Sequence, residues 1–231
     1  MMNKKHFPAL TLGLGGIGLV LRIWLYNNRD ALGLLPTGHI SGYLALALTA
    51  LALFLIFLGA RRISREQTVC PPAPIWSGSG KLFLAAGILY CAFGEYLSGQ
   101  DILSHLLLPV GLAAGIALVV SAIRRFFGKQ DAFLPYCLTT VYLVLHVISQ
   151  CRTWGTEPQV SSYGFHLLSS IFLMLTGYHR TALTIKKGSD RRFLFFSQSA
   201  IFFCCMVLNT QTRLFHLAML LWLILDSPQE A

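Results

Sequence analysis

Charge is scarce in this chain: of its 231 residues 12% are Asp, Glu, Lys or Arg, and only nine are acidic. Soluble globular domains carry about a quarter of charged residues. With 55% of residues hydrophobic and a mean hydropathy of +0.63, the composition excludes an ordinary water-soluble fold and makes a bilayer the expected solvent. Long polar stretches are missing too. The longest, 61–80, reads RRISREQTVCPPAPIWSGSG; it is too short for a soluble domain, and its Pro, Gly and Ser mark it as a cytoplasmic linker. No helical-hairpin or inverted repeat is detectable, which leaves a repeat-built transporter fold without support. One transmembrane domain over 1–231 is expected.

Motifs of common chemistries are equally absent. Six cysteines occur without a CxxC spacing, and seven histidines without an HxxxH or HExxH pair. Cys91, Cys137, Cys204 and Cys205 lie in apolar runs and read as buried thiols. No metal site and no cofactor is predicted. The basic start and apolar stretch at the N-terminus lack a small-x-small cleavage site before Asn27, so the stretch reads as an uncleaved first helix.

Apolar stretches long enough to span at 1.5 Å per residue lie at 7–26, 42–60, 81–97, 103–126, 132–150, 163–184, 193–208 and 210–225. The expected fold is therefore all-α, a polytopic transmembrane bundle of eight helices, or seven if the polar break NTQTR at 209–213 is only a kink. Charge tests these placements independently. Lys4, Lys5, Arg61, Arg62, Arg65, Lys81, Arg124, Arg125, Lys129, Arg180, Lys186, Lys187, Arg191 and Arg192 fall on one side, 14 of the 18 basic residues. Arg22, Arg29, Arg152 and Arg213 fall on the other. The positive-inside bias puts the fourteen, and both termini, on the cytoplasmic side of the membrane. A net charge of +9 distributed in this way encodes topology, so no nucleic-acid partner is expected.

Two glycine patterns describe packing. GLGGIG at 13–18 matches the dinucleotide pattern GxGxxG, but no strand precedes it, and close helix contact explains it better. Gly111 and Gly115 form a GxxxG step just after Pro109.

Titratable residues show a second bias. His39, His105, His146, His166 and His216 all fall in the outer half or outer segments, with Glu95, Asp101, Arg22, Arg152 and Arg213. Ionisable groups near mid-membrane cost about 2.5–3.5 kcal/mol each on insertion scales, so they face a bundle interior or a wet cavity. An outward-opening polar vestibule follows, with Glu95, Arg152, Arg213, His39, His146, His166, Arg22 and Asp101 as candidate ligand-binding residues. Arg22 and Arg152 can alternatively snorkel to the headgroups. Glu95 is too short to do so and needs a partner, which Arg22, Arg152 or Arg213 can supply.

The segments RDALGLLPTGHI at 29–40 and CRTWGTEPQVSSYGFHLLSSIFLMLTGYHR at 151–180 carry Gly33-Leu34-Leu35 with Gly38-His39, and Arg152-x-Trp154 with Pro158 and Tyr163. A late aromatic run precedes Leu221-Trp222-Leu223. Together these resemble an uncharacterised family of bacterial multi-pass membrane proteins with no assigned activity. The resemblance implies membership and no mechanism.

Three functions remain open at this point. One is binding or transport of a small polar solute or ion through the vestibule. A membrane-embedded enzyme with a His/Glu acid–base pair is another, and a non-catalytic assembly or regulatory partner the third. The expected partners are the lipid bilayer, a small solute or ion, and a second copy or another membrane protein.

Overall fold

The computed structural model describes all residues except 1–5, 29–38, 67–73, 99–101, 130, 155–159, 210–211 and 227–231. Among the described residues the chain is all-helical. Eight helices follow one another: α1 (His6–Asn27), α2 (Ile40–Glu66), α3 (Pro74–Ser98), α4 (Ile102–Phe126), α5 (Phe133–Trp154), α6 (Val160–Thr184), α7 (Asp190–Met206) and α8 (Arg213–Leu225). Five of them, α1 to α5, are long and apolar enough to cross a membrane. The last pair is two helices, separated at the polar break expected there.

Packing on α2 shows which solvent the surface suits. Ser41, Ala45, Thr49, Ala52, Ile56 and Ala60 are buried, at steps of three and four residues that form one helical stripe. Tyr43, Leu46, Leu51 and Phe54 point outward and are more than half exposed. Small and weakly polar residues face the protein while bulky apolar ones face out, the reverse of a soluble helix and the arrangement expected against lipid.

α7 occupies the centre. It packs against α1, α2, α6 and α8, and from Ser197 to Met206 every residue is buried. The chain α3–α4–α5–α6 wraps one side of it, and α8 closes the ring by lying along α3. Close approach sets these crossings. A Cβ at Gly15 would lie 2.6 Å from Cys205 Cβ, and one at Gly18 2.8 Å from Met206 Cγ, whereas Gly13 and Gly16 face open space. The GLGGIG run is thus the seat of α1 on α7. Gly111 and Gly115 serve α4 against α3 in the same way, facing Ala92 and Leu89.

The structure corrects the expected linker. α2 continues to Glu66 and α3 begins at Pro74, so most of 61–80 is helix, with 67–73 outside the described residues. Proline is tolerated in a first helical turn because its missing N–H has no partner there. The following Ser77-Gly78-Ser79-Gly80 reads as a loop by composition, yet Gly78 abuts the Phe126 ring and Gly80 abuts Trp222 and Leu225. These residues are small because neighbouring helices pass close by. Lys81 therefore lies about 10 Å inside α3 and is fully buried.

Candidate functional site

The last two turns of α3 carry Cys91 and Glu95, four residues apart and hence on one face. α5 brings His146 and Gln150, again four apart, against them. His146 Nδ1 donates to Glu95 Oε1 at 2.6 Å. Cys91 Sγ lies 3.8 Å from that nitrogen and 3.9 Å from the same carboxylate oxygen. On the far side of the ring Gln150 Nε2 donates to His146 Nε2 at 2.8 Å, and Ser170 Oγ of α6 donates to Gln150 Oε1 at 2.7 Å. The imidazole is held between the parallel ring of Tyr142 and the tilted ring of Phe215. His146 is 1% exposed, so four helices fix its orientation.

This cluster forms the inner wall of a cavity of about 880 Å³ between α3, α4, α5 and the start of α8, lined among others by Cys91, Glu95, Ser104, His146, Gln150 and Phe215. Glu95 Oε2 is buried and accepts no hydrogen bond among the described residues. A buried carboxylate oxygen without a donor has a lone pair to offer to a ligand.

Of the residues expected to share one vestibule, the structure brings together Glu95 and His146. The anticipated arginine partner of Glu95 is replaced by this histidine. Arg152 and Arg213 are exposed at the end of α5 and the start of α8. His39 immediately precedes α2, where its Nδ1 accepts from the Ser41 N–H at 3.3 Å and its ring meets Trp24 edge-on; capping explains it. His166 and His216 are buried and meet edge to face at 5.2 Å, one helix further in. Arg22 does not snorkel. It is 1% exposed, donates to Met206 O at the end of α7 and to Tyr26 Oη, and lies over the Phe165 ring. Asp101, most of the Arg29–Ile40 segment, and Pro158 lie outside the described residues.

A second polar cluster, which the sequence does not single out, closes the opposite end of the bundle. Lys81 of α3 pairs with Asp131 at the start of α5 and donates to Ser121 Oγ of α4 at 3.1 Å. Arg180 of α6 pairs with Asp226, just past α8, at 2.9 Å and reaches Asp131 at 3.6 Å. Ser77 Oγ donates to Asp226 at 3.4 Å. The Tyr136 ring lies under both cations. Two cations and two carboxylates make the set electrically neutral, and it ties five elements together. Burial pushes the Asp226 carboxyl above its ordinary range while Arg180 pulls it down. A basic residue predicted to begin a helix, followed by carboxylates at the same end of later helices, was the available signal.

No family model, no curated protein and no solved structure matches this chain.

Proposed function

We propose that this protein is a multi-pass protein of a bacterial cytoplasmic membrane that binds a small polar solute or ion in an outward-facing vestibule and passes it across the bilayer. The carrying observation is the contrast between the two ends of the bundle. One end holds a cavity of about 880 Å³ with a carboxylate, an imidazole and an amide in its wall. The other is shut by a neutral set of ion pairs built on the buried Lys81 and Asp226. An opening on one side and a polar seal on the other are what an outward-facing carrier needs. The bias of basic residues favours an outward Glu95 end with cytoplasmic termini, and it survives removal of Lys81 and Arg180, whose engagement in ion pairs disqualifies them as topology signals.

The test uses the purified protein in liposomes loaded with pH- and cation-sensitive dyes. Wild type is expected to carry a proton or cation flux above the leak of empty liposomes. Glu95→Gln keeps the size of the side chain and removes its charge, and is expected to lower that flux at least about tenfold, equivalent to 1.4 kcal/mol. Fluxes equal to the leak, or unchanged in Glu95→Gln, would sink the reading.

A further inference from the structure

We infer that Cys91, Glu95 and His146 form a binding site for a divalent transition-metal ion of the Zn²⁺ class. The inference names the solute of the vestibule and in that sense rests on the function proposed above, although occupancy of the site can be tested without transport. Sequence spacing gave no hint of it, because the motifs that reveal metal sites pair two cysteines or two histidines close in sequence. Here the chelating pair is Cys91 and Glu95 at four residues' separation, and the third donor crosses from α5.

Geometry supports the assignment. Sγ, Oε1 and Nδ1 of these residues lie within 4.8 Å of one another. In a tetrahedral Zn²⁺ site, with bonds of about 2.3 Å to sulfur and about 2.0 Å to nitrogen and oxygen, ligand atoms stand about 3.3–3.5 Å apart. The two sulfur distances, 3.8 and 3.9 Å, need to close by a few tenths of an ångström. The 2.6 Å Glu95–His146 contact must open, as a hydrogen bond does when a metal replaces its proton. The three donors then make one face of a tetrahedron, and the fourth position points to the cavity, where water or an anion can complete the shell.

Charge and surroundings agree. Thiolate and carboxylate carry −2 between them, so a divalent ion bound with a neutral imidazole leaves the site uncharged, which a low-dielectric setting demands. The thiol proton leaves to water in the cavity on binding, and the Nδ1 proton likewise leaves, with Nε2 becoming protonated in the new tautomer by a proton from the same water. Ligating histidines donate their other ring N–H to an acceptor. Turning over the Gln150 amide supplies one: Oε1 then accepts from His146 Nε2–H, and Nε2 donates to Ser170 Oγ. The mixture of one sulfur with nitrogen and oxygen donors selects Zn²⁺-like ions over Mg²⁺ or Ca²⁺, which take oxygen.

The experiment titrates Co²⁺ into the full chain, reduced and reconstituted in nanodiscs. One Co²⁺ per chain is expected, with the intense visible bands of a tetrahedral ion and a near-ultraviolet thiolate-to-cobalt band, both bleached by Zn²⁺. Cys91→Ser should abolish the near-ultraviolet band, while Cys137→Ser and Cys151→Ser retain it. Gln150→Leu, which touches no metal, should weaken binding about 10- to 100-fold. If a variant fails to fold, protection of wild-type Cys91 from alkylation by Zn²⁺, read by peptide mass spectrometry, gives the same answer. Absence of the thiolate band in wild type, its survival in Cys91→Ser, or alkylation of Cys91 indifferent to Zn²⁺ would each overturn the site. Glu95-dependent flux without Co²⁺ binding would remove the metal and leave the carrier; Co²⁺ bound through Cys91 with no flux of any cation would do the opposite.

Discussion

Arg180→Met is expected to be among the most damaging single substitutions in this protein. Arg180 is the cation that both carboxylates share, at 2.9 Å from Asp226 and 3.6 Å from Asp131. Asp226 is 3% exposed, so losing the guanidinium strands a carboxylate that water cannot reach. Removing one partner of a buried pair typically costs about 3–5 kcal/mol, because the remaining charge is uncompensated. Contact with the Tyr136 and Phe193 rings is lost in the same step. The double variant Arg180→Met, Asp226→Asn leaves an amide where the stranded charge would be and is expected to recover a large part of the loss. Reversible unfolding in mixed micelles measures both. Equal stability of the single and double variants would show that the charge, as opposed to the packing, matters little.

Gly111→Leu is the second large effect. A Cβ at Gly111 would sit 2.6 Å from Ala92 Cβ and 3.1 Å from the Tyr142 ring. Ala92 has no rotamer with which to retreat, so α3 and α4 must separate along one of the most extensive helix contacts in the fold. Overpacking of this kind costs about 1–3 kcal/mol, and the added Leu branches make it worse than Gly111→Ala. Displacement would also reach the site, since Ala92 follows Cys91 in α3 and Tyr142 stacks on His146. Weakened Co²⁺ binding should therefore accompany the lowered unfolding midpoint. Gly16→Ala is the control: its Cβ meets nothing, and replacing a mid-helix glycine by alanine is expected to stabilise by about 0.5–1 kcal/mol. If Gly111→Leu and Gly16→Ala behaved alike, the close-contact account of α3 and α4 would fail.

Hydropathy and charge were enough to find the eight helices and to mark Glu95 and His146 as residues at one depth. Depth follows from position along a helix at 1.5 Å per residue. What stayed hidden was azimuth, the direction in which each helix faces its neighbours. In lipid both faces of a helix are apolar, so periodicity scarcely distinguishes inside from outside. Hence His39, Arg152 and Arg213, assigned to the same side as Glu95, do not line the cavity, while Cys91 and Gln150, which look like ordinary span residues, do. The same blindness hid the Lys81 cluster. Lys81 reads as the first residue of a helix because small polar residues precede it, and only the packing of Gly78 and Gly80 against other helices shows why those residues are helical and Lys81 lies within the bundle.

The burial of α7 bears on how the chain is made. α1 and α2 emerge from the ribosome first, yet the surface on which both rest belongs to α7. Until Asp190–Met206 has been synthesised, the glycine face of α1 and the small-residue stripe of α2 have only each other and lipid. α7 in turn begins Asp190-Arg191-Arg192 and carries Ser197-Gln198-Ser199 at its middle, a poor candidate for entering a bilayer unaccompanied. On the proposed eight-span topology its insertion and its docking have to occur together, late in translation. A chain stopped before Asp190 would leave α1–α2 and α3–α6 as two groups without the helix that joins them.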